Sequence, residues 1–101
     1  MKRIILLAFL CTTTLVMAQR INHVQEAIAN YDYEAALTLI AKEKPTIPLL
    51  LQKGKAQRGL GMNTEALSTY QEIIANDTAN TRAYIEAAEC CRSLEIGRAH
   101  V

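Results

Sequence analysis

Few side chains in this chain of 101 residues have the types and spacing that chemistry requires. His23 has no second histidine or paired cysteine at metal-ligand spacing, and His100 lies close to the C-terminus. No serine or cysteine has a residue near it in the sequence that could act as its general base. The segment QKGKAQRG (residues 52–59) lacks the spacing of a phosphate-binding loop. The sequence therefore predicts a protein that is not an enzyme and that holds no metal and no cofactor.

The cysteines do not form an evident disulfide framework. Cys90 and Cys91 are adjacent, and neighbouring residues on a helix point about 100° apart, which strains a bridge between them. We expect both to act as small hydrophobic residues, with at least one of them buried. A disulfide between two chains is the alternative in an oxidising compartment.

Residues 1–18 have the pattern of a secretory signal peptide. Lys2 and Arg3 precede an apolar run over residues 4–10, and the segment ends in VMA at Ala18. The alternatives are an uncleaved anchor, for which the apolar run is short against ~30 Å of hydrocarbon, and a lipoprotein, for which the residue before Cys11 should be small. We expect cleavage after Ala18 and an exported bacterial protein, periplasmic or associated with the outer membrane, with no membrane span after cleavage.

The charge of the remaining chain argues against nucleic-acid binding. From Gln19 onward, nine Lys and Arg residues face ten Asp and Glu residues. This balance gives no basic footprint for a phosphate backbone. We therefore expect no nucleic-acid partner.

The composition after residue 18 is that of a helical protein. It is rich in Ala, Leu, Glu, Lys and Gln, and breakers separate five segments that we predict as helices: 20–30, 33–43, 47–59, 64–76 and 81–94. Helices this short are only marginally stable alone in water, so they must pack against other helices. The predicted fold class is all-α.

Polar residues at the segment boundaries predict where these helices begin. Asp32 and Asn63 stand at N-cap positions, and Asn80 and Thr81 offer a cap for the last segment. Pro48 falls in a first turn, where its missing N–H costs nothing. In the last segment, helical spacing predicts one apolar stripe. Its members are Tyr84, Ala87, Ala88 and Cys91.

A pattern recurs along the chain. Ala36 and Ile40 match Ala66 and Tyr70 thirty residues later, each pair on a helix that follows a turn. Helix, turn and helix at a period of 30 to 34 residues is typical of stacked helical hairpins, and this sequence resembles the tetratricopeptide repeat. The alternative is an unrelated small helical bundle.

The resemblance covers residues 19–94 and implies a right-handed superhelical stack of antiparallel helical hairpins, about two and a half units long. In the unit from Ile47 to Asn80, the resemblance assigns the following positions: Leu50 opens the first helix, Gly54 and Ala66 are the small residues where the helices cross, Gly61 ends the first helix, and Tyr70 is the aromatic wedge. The chain departs from the family pattern at four positions, namely Tyr31, Lys53, Gln57 and Thr78.

In this family, the first helices of the hairpins line a concave groove that binds a peptide or a partner domain. The resemblance places seven residues of this chain at exposed groove positions: Gln25, Ile28, Lys55, Arg58, Arg82, Glu89 and Arg92. Because guanidinium groups bind carboxylates bidentately, the cations of this set are suited to an acidic peptide. The alternative is an ordinary solvated helix face.

The expected function is a non-enzymatic protein–protein interaction scaffold of the tetratricopeptide-repeat type. One alternative is that the chain is the N-terminal repeat region of a larger exported enzyme or nutrient-uptake component. Another is a protein anchored at a membrane surface. The sequence makes no prediction of the oligomeric state.

Residues 95–101 differ in character from the rest of the chain. The hexapeptide IGRAHV (residues 96–101) is the translation of AGATCGGAAGAGCACACGTC, a common sequencing-adapter end, read from its third base, and Glu95 fits the partial codon before it. We expect residues 95–101 to be a non-native tail. A genuine disordered tail is the alternative.

Overall fold

The computed structural model describes residues 21–99, a part of the chain that consists of five helices joined by short turns. The helices are α1 (residues 21–29), α2 (Tyr33–Ala41), α3 (Ile47–Gly59), α4 (Asn63–Asn76) and α5 (Thr81–Ala99). No strand occurs in residues 21–99, which confirms the predicted all-α class. The predicted signal peptide and residues 100–101 lie outside the described residues. None of the described helices is both long and apolar enough to cross a membrane.

Each helix packs mainly on its neighbours along the chain. α2 contacts α3, α3 contacts α4, and α4 contacts α5, so the most extensive contacts among these four helices join sequence neighbours. Two apolar clusters hold this series together. The first consists of Val24, Ile28, Ala36, Ile40, Leu49 and Ala56, and the second of Leu50, Ala66, Tyr70, Ile73, Ala83 and Cys90. Because α3 contributes to both clusters from different sides, it is the central helix.

Glycines on α3 allow tyrosine rings to lie against its backbone. A Cβ atom on Gly54 would lie 2.5 Å from Cζ of Tyr70 on α4, and one on Gly59 would overlap the ring of Tyr33 on α2. Real Cβ atoms do not approach other atoms so closely. The two helices that flank α3 therefore depend on the absence of a side chain at these positions.

Side chains cap three of the helices. Asp32 Oδ1 accepts from the amide of Ala35 at 3.3 Å, and Asn80 Oδ1 accepts from that of Ala83 at 3.0 Å. Both caps and the place of Pro48 in the first turn of α3 confirm the predictions. The prediction for Asn63 is wrong, since α4 already begins at that residue and its N-cap, Met62, makes no side-chain cap bond. Thr46, which was not predicted, caps α3 by accepting from Leu49 N at 3.4 Å.

The turns after α1 and α3 have the same backbone conformation and hydrogen bonding. Tyr31 has φ of 60° and Gly61 has φ of 78°, and the residue after each donates to a carbonyl five residues back: Asp32 N to Ala27 O, and Met62 N to Gln57 O, both at 2.8 Å. This is the bond of a Schellman motif, which ends helices with a residue in the left-handed region. In the turn after α1, the residue at positive φ is a tyrosine, which adopts a backbone conformation that favours glycine.

The buried face of α5 differs from the predicted stripe. Ala83 and Cys90 are fully buried, whereas Tyr84 is 48% exposed and Ala88 and Cys91 are also exposed. Of the predicted stripe, Ala87 packs against the second apolar cluster, but the other three members are exposed, so the stripe was wrong by about one residue in rotation. The expectation that one cysteine is buried is confirmed. The reason is that, within the described residues, α5 packs mainly on α4, and its Tyr84 side is uncovered.

The last helix also extends beyond its predicted end. It continues from the expected residue 94 to Ala99 and contains Gly97. A glycine costs a helix only about 1 kcal/mol, and the residues on either side of it permit helix.

We predict opposite effects for two glycine-to-alanine substitutions. Gly61→Ala should lower the free energy of unfolding by about 1 kcal/mol, because alanine disfavours the positive φ although nothing lies near its added Cβ. Gly97→Ala, also in open space but within a helix, should leave stability unchanged or raise it by up to about 1 kcal/mol. Chemical denaturation of both variants tests this, and equal effects would contradict the assignment of the α3 terminus.

A second prediction concerns the contact of α3 with α4. Gly54→Ala should cost roughly 1–3 kcal/mol, because the added methyl group overlaps the buried ring of Tyr70 and outweighs the gain in helix propensity. Denaturant unfolding compared with Gly97→Ala isolates the steric part. A Gly54→Ala variant as stable as Gly97→Ala would show that α3 and α4 are not this close.

Candidate functional site

The residues predicted to bind a partner lead to a cleft between α3 and α5. It has a volume of about 240 Å³, and we call it the Arg58 cleft; its lining residues are Leu51, Lys55, Arg58, Tyr70, Arg82 and Glu86. The spacing of these residues explains how they meet, because residues three or four apart share one face of a helix. α3 therefore presents Lys55 and Arg58 on one wall, and α5 presents Arg82 and Glu86 on the other.

Tyr70 lies at the bottom of the cleft, between the α3 wall and the α5 wall. Its ring is 1% exposed and lies against α3 at Gly54, and it belongs to the same apolar cluster as Ala83 and Cys90 of α5. Since a side chain at position 54 would push this ring away, Gly54 sets how deep the cleft is. The aromatic residue of α4 thus fills the space between the helices before and after it.

An ion pair crosses the cleft. Arg58 Nη1 donates to Glu86 Oε2, and the two side chains are 31% and 27% exposed. The partners are 28 residues apart, on α3 and α5. Burial of the guanidinium opposes its charge, but the charge of Glu86 and its hydrogen bond favour it, and the pKa of Arg58 is raised. The arginine is a permanent cation here, as arginine is in proteins generally.

Two further titratable groups at the cleft, Tyr70 and Cys90, are held neutral. Burial, assisted by the nearby Glu86 carboxylate, raises the pKa of the Tyr70 hydroxyl to about 12. Burial also raises the pKa of the Cys90 thiol. Because a thiolate is the nucleophilic form of cysteine, Cys90 is not poised for nucleophilic chemistry at neutral pH. The cleft can attract and orient an anion, and its geometry offers no paired acid and base.

Three of the seven predicted residues, Lys55, Arg58 and Arg82, come together in this cleft. Gln25 and Ile28 line a second depression of about 400 Å³ between α1 and α3, which Lys55 also borders. The expectation that Ile28 is exposed is wrong. Its side chain is only 6% exposed because it packs with Val24, one turn earlier, into the first apolar cluster.

The remaining two predicted residues lie outside both depressions. Glu89 and Arg92 pair with each other one turn apart on α5, in an ion pair whose arginine is largely exposed. Such an exposed pair contributes little to stability. Arg92 is therefore already matched with a carboxylate of its own helix.

Sequence reasoning missed Glu86. A signal was present, since Glu86 stands four residues after Arg82, a spacing that places the two on one helix face. The partner of Glu86 is nevertheless Arg58, on another helix. Nothing in local spacing indicates a pairing over such a distance along the chain.

A buried polar pair accounts for one departure from the repeat pattern. Gln57, where an aromatic residue was expected, is buried, and its Oε1 accepts from the hydroxyl of Thr69 on α4 at 2.7 Å. A buried amide or hydroxyl is costly without a partner, and here each group supplies one to the other. α3 and α4 are thus joined by a hydrogen bond as well as by the Gly54–Tyr70 contact.

Among residues 21–99, no group of three or more His, Cys, Asp or Glu side chains is placed to hold a metal ion. His23 lies exposed on α1. Comparison with known proteins adds no relative, since no family model, curated protein or solved structure matches the chain significantly.

The raised pKa of Tyr70 predicts alkaline destabilisation. Below pH 10 the hydroxyl is protonated in both states, but between about pH 10 and 12 the unfolded chain releases this proton while the folded chain retains it. The free energy of unfolding should therefore fall over this window, by roughly 2–3 kcal/mol at most from this group.

Thermal melts at a series of pH values test this. Tyr70→Phe should make the fall above pH 10 shallower, whereas Tyr84→Phe, at a half-exposed ring, should leave the curve unchanged. Cys90 contributes a decline of the same sign in every variant, so it does not affect the comparison. Identical curves for Tyr70→Phe and the unaltered chain would contradict the burial of this hydroxyl.

Proposed function

We propose that the chain is a non-enzymatic protein–protein interaction scaffold of the tetratricopeptide-repeat type that binds an acidic peptide or partner segment in the groove formed by α1, α3 and α5. The observation that carries the proposal is the meeting of Lys55, Arg58 and Arg82 over the Tyr70 ring. With Glu86 included, the lining has a net charge of +2 at neutral pH. This field attracts anions and favours carboxylates, which match the guanidinium fork.

The repeat class rests on three features of the packing. Helices pack on their sequence neighbours, turns with a residue at positive φ recur thirty residues apart at Tyr31 and Gly61, and α3 accepts tyrosine rings from the helices on either side. These features support a stack of helical hairpins in which the first helix of each hairpin lines one surface. The signal-peptide pattern of residues 1–18 supports export to the periplasm or the outer-membrane surface.

The shape of the groove suits an extended or helical peptide. The Arg58 cleft and the depression beside Gln25 share Lys55, so the two form a continuous strip across α1, α3 and α5. Tyr31 and Tyr33 line its α1 end, their rings in an edge-to-face arrangement with centroids 6.3 Å apart. A ligand with acidic residues at one end and an apolar or aromatic residue at the other would complement this strip.

One observation indicates a further packed element, as expected for the alternative in which these helices are the repeat region of a larger exported enzyme or nutrient-uptake component, and equally for a scaffold with more repeats. The α3 residues Leu50, Gly54 and Gln57 are covered by α4, whereas the α5 residues thirty-four positions later, namely Tyr84, Ala88 and Cys91, are exposed. Another packed element would bury that face. The genomic reading frame at this locus distinguishes the alternatives, because a catalytic domain in it would favour the larger enzyme.

Binding of a fluorescein-labelled hexaglutamate peptide, followed by fluorescence anisotropy, tests the scaffold proposal. We expect measurable binding that weakens as salt is added, and a hexaglutamine peptide should not bind. Lys55→Gln and Arg82→Gln should each weaken binding roughly three- to tenfold, as expected for the loss of one charge contact of about 1 kcal/mol.

Lys44→Gln is the matched control. Lys44 is exposed between α2 and α3, outside both depressions, and its substitution removes the same charge. If Lys44→Gln weakened binding as much as Lys55→Gln, the peptide would be responding to overall charge, and the groove would not be its site.

A further inference from the structure

The acidic side chain in the Arg58 cleft is in the place where a ligand carboxylate would bind. The lining of this cleft, as far as residues 21–99 provide it, contains three cations and one carboxylate, that of Glu86. Glu86 does not lie between the cations at random, because its Oε2 accepts a hydrogen bond from Arg58 Nη1. The strongest carboxylate-binding group of the cleft is thereby occupied by the protein itself.

The other two cations are differently placed. Among the described residues, neither Lys55 nor Arg82 forms an ion pair, so their charges face the cleft without an internal counter-ion. They can attract an acidic segment before any internal contact breaks. Arg58 can bind that segment only after its hydrogen bond to Glu86 breaks.

The pair is suited to exchange. Both side chains are partly exposed, so water can reach the carboxylate of Glu86 as it leaves. A pair at this depth is less costly to break than a fully buried one, which leaves an uncompensated charge in the interior. The contacts of α5 with the rest of the protein are mainly those with α4, so its position does not depend on this ion pair.

We infer that Glu86 is an internal competitor, an autoinhibitory carboxylate that must be displaced from Arg58 before an acidic ligand binds in the cleft. The inference rests on the proposed function and adds one requirement to it: a ligand must bind Arg58 more favourably than Glu86 does. A ligand with a single carboxylate can at best replace Glu86 on equal terms. A segment with several carboxylates also engages Lys55 and Arg82, and those added contacts favour it over Glu86.

The test compares Glu86→Gln with the unaltered chain, using the same labelled hexaglutamate peptide. Glutamine keeps the size of the side chain but loses its charge, so Arg58 should be released and the peptide should bind about tenfold more tightly, the scale of one charge-assisted hydrogen bond. Glu95→Gln, at an exposed position on the same helix, makes the same change in net charge and should alter affinity by less than twofold.

A second pair of variants separates competition from a structural role. In the background of Arg58→Gln, the Glu86→Gln substitution should give less than a twofold gain, because the residue through which Glu86 acts is absent. If Glu86 acted only through general charge or through the position of α5, the tenfold gain would persist in that background. Circular dichroism melts establish that all five chains, the unaltered one and the four variants, are folded at the assay temperature.

The outcomes distinguish the inference from the proposed function. Tighter binding by Glu86→Gln, dependent on Arg58, supports both, including the case in which only this variant binds. Equal or weaker binding by Glu86→Gln overturns the inference and leaves the acidic-ligand proposal in place. Absence of hexaglutamate binding in every variant overturns both.

Discussion

The contact between the backbone of α3 at Gly54 and the ring of Tyr70 determines how the rest of the described structure is arranged. It brings α4 so close to α3 that the tyrosine reaches beyond it to α5, where the ring shares a cluster with Ala83 and Cys90. One aromatic side chain therefore holds three helices in register. The walls of the Arg58 cleft are the parts of α3 and α5 that face each other above this ring.

The chemistry of the cleft follows from the same arrangement. A ring buried between the helices brings a low-dielectric floor close to the charged groups above it, which strengthens their interactions relative to those on an open helix face. The same surroundings keep the hydroxyl of Tyr70 and the thiol of Cys90 protonated. In the function proposed here, the cleft binds anions, and the internal carboxylate of Glu86 competes with an external one for the guanidinium of Arg58.

Much of the helical architecture was predictable because the signals that set it are local. Proline, glycine and polar clusters separate the segments, and predicted boundaries lie within about two residues of those of α1 to α4. The α2 cap at Asp32 and the α5 cap at Asn80 were likewise visible from residue type and position. The predictions failed where a local signal was ambiguous: Asn63 was one residue too late to cap α4, and α5 continues to Ala99 and does not end at the predicted residue 94.

By itself, the sequence determined the all-helical class, the positions of the turns and the recurrence of small and aromatic residues, because each depends on neighbours within a few positions. The resemblance to the repeat family indicated Lys55, Arg58, Arg82 and Arg92 as the cations of a groove, and the structure brings the first three together. Only the tertiary structure decided which side of α5 is buried, that Ile28 belongs to the core and that Glu86 meets Arg58. These depend on which helix covers which face, a question settled by packing between segments and not by the period of any one of them.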